Sequence, residues 1–294
     1  MLGRLIAGLA LASAFVATPV TAKPLDYKVI PTSPLSMVAN TTLIMGEKDA
    51  ILVDVPFARS DAMRVAAEIL DSGKTLKAII ITHDHPDHFF GLDVLQDAFP
   101  DAKILANPVA AKDMARSIPI KFKRWSGQLG TNAPRRPVAP VAMEGDTIAL
   151  EGHTLQVLGP MQGDHVHSTV VWDPETKTLI AGDVLYNGVY VWLGEHTPQR
   201  YADWLAVLDR LEAMNPNRVI AGHRQPGLPD DNMSIAWTRA YIKAFIDARG
   251  KAKSAKELAA LMAERYPNAT EVYGGFLLGV SSQVGAGEIP PWDE

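Results

Sequence analysis

Three histidines and two aspartates fall within one six-residue stretch, as His83, Asp84, His85, Asp87 and His88. Imidazole is the commonest protein ligand for zinc and related divalent metals. A two-residue spacing lets two such rings converge from a tight loop, and Asp87 adds an oxygen donor beside them. Packing alone gives no reason for the cluster, because each polar group buried without a partner costs about 1–3 kcal/mol. The chain contains no cysteine. Thiolate ligands, disulfides and cysteine nucleophiles are therefore excluded, and any metal must be held by His, Asp or Glu.

The elements around the cluster explain how it would be positioned. Leu76 to Thr82 is a short, β-branched, nearly all-apolar run, the pattern of a strand buried on both faces. The histidines begin at its C-terminal end, where α/β proteins commonly place their sites. Upstream, Thr41–Met45 and Ala50–Val55 flank a polar turn and read as a hairpin. Asp61–Leu70 has helical spacing, with Ser60 or Asp61 as cap and Gly73 as stop. Downstream, strands are expected at Thr154–Leu158, Thr169–Trp172, Thr178–Ala181 and Arg218–Ala221, and helices at Tyr201–Met214, Ile235–Ala248 and Ala255–Arg265. Two strand-rich halves, each followed by helices, suggest two packed sheets with helices outside. The segment from Ile118 to Val141, rich in Pro, Gly, Lys and Arg, shows little periodicity and reads as a long loop, either a lid or a solvated connection.

Bulk properties narrow the function classes. The 294 residues suit one large domain or two small ones, with 47% hydrophobic and 21% charged residues as in ordinary globular proteins. A basic start at Met1–Arg4, an apolar run from Leu5 to Ala17 and small residues at Val20-Thr21-Ala22 read as a secretory signal cleaved after Ala22. Residues 23–294 would form the functional domain, exported and periplasmic, with its helices at the C-terminal end and no permanent membrane span. Loss of Arg4 leaves 27 basic and 33 acidic side chains, a formal net charge of −6. An acidic balance speaks against nucleic acid as a partner and leaves a small-molecule substrate. No Gly-x-Ser-x-Gly elbow accompanies the histidines, which disfavours a serine hydrolase.

The pattern His-x-His-x-Asp-His, here His83, His85, Asp87 and His88, resembles the metallo-β-lactamase superfamily. That resemblance implies an α+β fold, a four-layered αββα sandwich. It also implies roles for two later strand ends: Asp183 in Ala181-Gly182-Asp183 as a bridge between two metals, and His223 in Ala221-Gly222-His223 as the final histidine ligand. The family's intermediate Gly-His-Thr-x-Gly-Ser motif is altered to Gly163-Asp164-His165-Val166-His167-Ser168-Thr169. Gap-free alignment puts Asp164 where the ligand histidine is expected, with His165 and His167 beside it. Any of the three completes the first site on this reading, and His165 is favoured over Asp164.

What the resemblance implies chemically is a pair of divalent ions, zinc foremost. His83, His85 and Asp164 or His165 would hold the first, and Asp87, His88 and His223 the second, with Asp183 between them. A metal-bound hydroxide would then attack the carbonyl of an ester, thioester, lactone or β-lactam. Asp87 is a candidate for orienting that water and Asp84 for supporting the ligands. Tyr186 stands three residues past Asp183, a spacing at which some lactone-opening members place a tyrosine hydroxyl on the substrate carbonyl; the plainer alternative is packing beneath the site. Tyr190, Trp192 and His196 are candidates for the pocket mouth. Iron-dependent redox or sulfur chemistry, or a non-catalytic relative with an impaired first site, are the competing readings.

Overall fold

The computed structural model describes residues 23–292, so the proposed export segment lies outside the described residues. Six strands form the first sheet in sequential order: β1 (Asp26–Pro31), β2 (Asn40–Met45), β3 (Asp49–Val53), β4 (Thr75–Ile81), β5 (Lys103–Ala106) and β6 (Val141–Ala142). The first three run antiparallel, whereas β3 to β6 are parallel neighbours. Parallel neighbours need crossovers. Helices α1 (Arg59–Asp71), α2 (Leu92–Ala98) and α3 (Pro108–Leu129) lie in these connections.

The second half adds β7 (Thr147–Leu150), β8 (His153–Met161), β9 (Ser168–Asp173), β10 (Thr178–Ile180), β11 (Tyr186–Asn187), β12 (Arg218–Ile220) and β13 (His223–Arg224). Five of them make a sheet in the order β12-β10-β9-β8-β7, and β11 pairs with β13 in a short parallel ladder. Helices α4 (Pro198–Ala213), α5 (Met233–Lys251), α6 (Ala255–Arg265) and α7 (Phe276–Gly285) complete the chain.

Period-two patterning explains the layering. In β4, Ala78 and Ile80 join Ile44, Ile51, Leu155, Val157, Val171 and Ile220 in an apolar layer between the two sheets. Ile79 and Ile81 point the other way, into a core shared with Val65, Ile69, Leu92 and Met114 of the helices. On the second sheet Leu179 and Val219 likewise face Trp204, Leu208 and Phe245. The result is the four-layered αββα sandwich.

Two expectations change. Residues 118–129 are not loop but the second half of α3, which holds Pro119 in its interior. Met114, Ile118, Lys121, Trp125 and Leu129 are its buried face, at spacings of three and four. The proline and the basic residues obscured that period, since an interior proline removes one helical hydrogen bond. Helix α1 begins at Arg59 with Ala58 as its cap, not Ser60 or Asp61. Asp61 instead accepts hydrogen bonds from the Ser33 and Ser36 hydroxyls at 2.6 and 2.7 Å. Gly73, at φ +67°, does lie just beyond the helix end, in the left-handed region that glycine adopts without penalty.

Ile79 is fully buried at the centre of the first sheet. Ile79→Ala should lower unfolding stability by about 2–5 kcal/mol, through lost burial and a residual cavity. Urea denaturation followed by circular dichroism checks this, and a midpoint equal to wild type would contradict the placement.

Candidate metal centre

Strand direction brings distant residues to one edge. His83 follows β4 by two residues, and the loop that continues through Asp87 and His88 lies beyond that strand's C-terminal end. Asp183 follows β10 and His223 follows β12; these strands are parallel, so both side chains emerge at the same end. β9 runs antiparallel to β10, with Val171 opposite Ile180. The loop before β9, which carries Asp164, therefore arrives at that end too.

Two groups of ligand atoms converge there, each within 4.8 Å: His83, His85, Asp164 and Asp183, then Asp87, His88, Asp183 and His223. His83 Nε2 lies 3.9 Å from Asp164 Oδ1 and 3.6 Å from Asp183 Oδ2, and His85 Nδ1 lies 3.2 Å from Asp164 Oδ2. In the second group His88 Nε2 is 3.4 Å from His223 Nε2, and His223 Nε2 is 3.3 Å from Asp87 Oδ2. Asp183 spans both, with Oδ1 3.0 Å from His88 Nε2 and Oδ2 3.0 Å from His223 Nε2. Metal–ligand bonds of about 2.0–2.2 Å in a tetrahedron give ligand separations of roughly 3.3–3.6 Å. The observed edges bracket that value.

The far nitrogen of each histidine is tethered, and the tethers set the tautomers. Asp54 Oδ2 lies 2.8 Å from His88 Nδ1 and accepts a hydrogen bond from the Thr82 hydroxyl at 2.8 Å. The Thr82 oxygen is thus left to accept from His83 Nδ1, at 2.9 Å. His223 Nδ1 meets the Met37 carbonyl at 2.8 Å, and His85 Nε2 meets Glu195 at 2.6 Å. Four lone pairs are thereby aimed inward. Among the described residues His83 Nε2, Asp164 Oδ1 and Asp183 Oδ1 are buried with no hydrogen-bond partner. Orphaned acceptors facing one another are what a pair of cations would satisfy, so the residues present fit a dinuclear site.

The ionisation of the cluster agrees. Burial pushes the Asp164 carboxyl up to about 7, reinforced by the neighbouring Asp183 and only partly offset by His85. Burial works against the charge of Asp183 too, but the His223 and His88 cations hold it well below the carboxylate range. His223 is pushed up to about 10: burial opposes its charge, and Asp183 overrides that opposition. Protons on His85, His88 and His223 therefore offset the carboxylates, whereas burial pushes His83 the other way, and metal loading would expel those protons.

Of the three candidates for the altered motif, Asp164 is the one that converges with the other ligands. His165 lines the adjoining pocket instead. His167 points away to Asp113, with Nδ1 2.6 Å from its carboxylate. The Tyr186 hydroxyl is buried and donates to Asp164 Oδ2 at 2.6 Å, and lies 3.0 Å from Asp183 Oδ2. Its ring stacks on His223, with centroids 5.1 Å apart. Tyr186 thus sits against the ligands. Asp84 grips Ser117 and Lys121 of α3, at 2.7 and 3.0 Å, rather than any histidine ligand. Trp192 lines the pocket. Tyr190 packs on Tyr241, and His196 is buried between Tyr201 and Trp204 with Nε2 3.0 Å from the Gly163 carbonyl.

Asp54, Glu195 and the Met37 carbonyl were not visible as participants. Asp54 carried one signal, a lone carboxylate ending the apolar run Ile51-Leu52-Val53. It leaves β3 at φ +61°, a region that aspartate tolerates better than most residues. Gly222 has a steric role: a Cβ there would fall on Asp183 Oδ1.

The pocket over the centre has one aromatic wall. Trp192 and Phe276 stack at 5.2 Å, and Trp125 and Trp292 meet Phe276 edge-on at 5.5 and 5.6 Å. Met37, Pro86 and Leu277 add apolar surface, while Lys121, His165, Tyr186 and Glu195 bring polar groups from outside the ligand set.

Comparison with known proteins agrees with this geometry. The model of the metallo-beta-lactamase superfamily matches residues 37–223. A hydroxyacylglutathione hydrolase of Rhodobacter capsulatus is 31% identical over 175 residues, 59% of this chain and 56% of that protein. Metallo-beta-lactamase type 2 of Elizabethkingia meningoseptica is 26% identical over 189 residues, covering 63% of this chain and 68% of the relative. Among solved structures, a metallo-beta-lactamase family protein from Thermus thermophilus superposes with a TM-score of 0.59 at 22% identity, over 89% of this chain and 94% of its own, a likeness of fold.

Removing the Asp54 tether should loosen the centre without touching a ligand. Asp54→Ala is expected to weaken metal retention about 10- to 100-fold, read by competition with a chromogenic chelator. Retention equal to wild type would show that the tether does not matter.

Proposed function

The chain belongs to the metallo-beta-lactamase superfamily, and from that premise we propose that it is an exported dinuclear zinc hydrolase acting on small, largely apolar carbonyl compounds. The observation that carries this reading is the pair of four-ligand groups sharing Asp183, open to an aromatic-walled pocket. Two divalent cations held there supply an acidified water and electrophilic polarisation of a carbonyl.

The chain's own residues supply the rest. Asp87, at the second ligand group and on the pocket wall, is placed to hold and orient a water for attack. Tyr186 and the tethers on His83, His85, His88 and His223 keep the ligand set in one geometry, so little reorganisation accompanies reaction. Trp125, Trp192, Phe276 and Trp292 exclude water from one side and favour an apolar or aromatic substituent on the substrate. Lys121 is the one lysine or arginine on the pocket wall among the described residues, and its ammonium is engaged by Asp84. That balance favours an ester, lactone, thioester or β-lactam with an apolar substituent over a multiply charged one.

A specific observation keeps a second reading in view. With Asp164 in place, each ligand group holds two carboxylates, a harder donor set than three imidazoles, and harder sets also suit iron or manganese. Metal analysis and a substrate panel on one sample address both readings. The expected result is two zinc ions per chain and hydrolysis of at least one of four substrates: a chromogenic β-lactam, an aryl-substituted lactone, an arylacyl thioester and a 4-nitrophenyl ester. Iron in place of zinc would move the reading to redox chemistry, and a fully metallated sample inert to all four would sink it. For export, intact-mass measurement of protein recovered from the periplasm of an expressing bacterium should show a chain beginning at Lys23; retention of Met1–Ala22 would overturn cleavage.

A further inference from the structure

His165 lies next to a ligand, lines the pocket and takes no part in the two ligand groups. Its ring centroid is 5.5 Å from that of His85 and 6.5 Å from that of His83. It therefore stands beside the centre at about the span of one small functional group. The surrounding turn is held closed. The His165 carbonyl accepts from the Gly163 N–H and the Ser168 hydroxyl, both at 3.0 Å, and His167 anchors the turn to Asp113 on α3.

The ring's protonation pattern follows from one contact. The backbone N–H of His167 donates to His165 Nδ1 at 3.1 Å, so Nδ1 carries no hydrogen and the hydrogen of the ring is on Nε2. No partner holds Nε2 among the described residues. A neutral N–H donor on a fixed ring, in a residue that lines a pocket floored by the ligand cluster, is suited to stabilising negative charge that develops on a substrate oxygen.

We propose that the Nε2–H of His165 donates a hydrogen bond to the carbonyl oxygen of the bound substrate, strengthening as that oxygen gains charge during attack. No proton is transferred; the imidazole keeps its hydrogen throughout. The inference rests on the hydrolase reading and deepens it by naming a substrate-contacting group that the ligand motif does not contain. It also accounts for the altered motif: with Asp164 as ligand, the next position is released to face the substrate.

The test uses the full-length mature protein loaded with zinc and two variants. His165→Phe keeps a flat ring and removes the donor, whereas His165→Gln places an amide N–H near the Nε2 position. On whichever panel substrate wild type hydrolyses, His165→Phe should lower kcat roughly 100-fold, the order seen when one oxyanion donor is lost, with KM within about threefold. His165→Gln should recover at least tenfold of that loss, and zinc content should be unchanged in both. Long-range proton–nitrogen NMR of the zinc-loaded, histidine-labelled protein should show His165 as the Nε2–H tautomer, independently of turnover. Loss of zinc from His165→Phe would make the residue a ligand and overturn the inference, as would an unchanged kcat or an Nδ1–H tautomer, while the hydrolase reading stood. Failure of wild type on every panel substrate would instead overturn the hydrolase reading and take this inference with it.

Discussion

Three carboxylates and four imidazoles are drawn together at the end of two sheets, nearly all of them out of contact with water. Isolated charges in such a place cost far more than a fold can offset, so the cluster persists only if each charge is answered. The answer comes in layers. Asp54, Thr82, Glu195 and the Met37 carbonyl fix the outer nitrogens of the rings, and Tyr186 caps two of the carboxylates. What is left unanswered points to the middle, where cations belong.

The architecture around that middle serves chain geometry first. Parallel β10 and β12 carry Asp183 and His223 to the same height, and antiparallel β9 returns the Asp164 loop to meet them. The central strand β4 is apolar on both faces because it is covered twice, by the inter-sheet layer and by the first-half helices. Its end delivers His83 to a rigid floor. Gly222 has no side chain where the Asp183 carboxylate occupies the space one would need.

Much of this was legible in the sequence, for identifiable reasons. β4 and the histidines after it declare themselves because apolar β-branched runs and clustered ligands are both local signals. Asp183 and His223 were reachable through their place at strand ends, in the order of a known motif. The partition among Asp164, His165 and His167 was not, since three adjacent polar residues in a turn differ only in where the backbone aims them. Apart from Trp192, the aromatic wall was equally hidden. Trp125 lay in a segment whose helical period is masked by Pro119, and Phe276 and Trp292 come from the far end of the chain. Glu195 became a partner of His85 only through a contact across 110 positions.

Replacing a neutral ligand by Asp164 has one further effect. Each half of the centre now offers two imidazoles and two carboxylates, with Asp183 common to both. The halves are near-equivalent in donor type and formal charge. A centre of that kind gives neither position a chemical lead over the other, and a shared bridge ties the second filling to the first. Two ions held there would share the Asp183 carboxylate, so filling one half would change the affinity of the other through that one side chain.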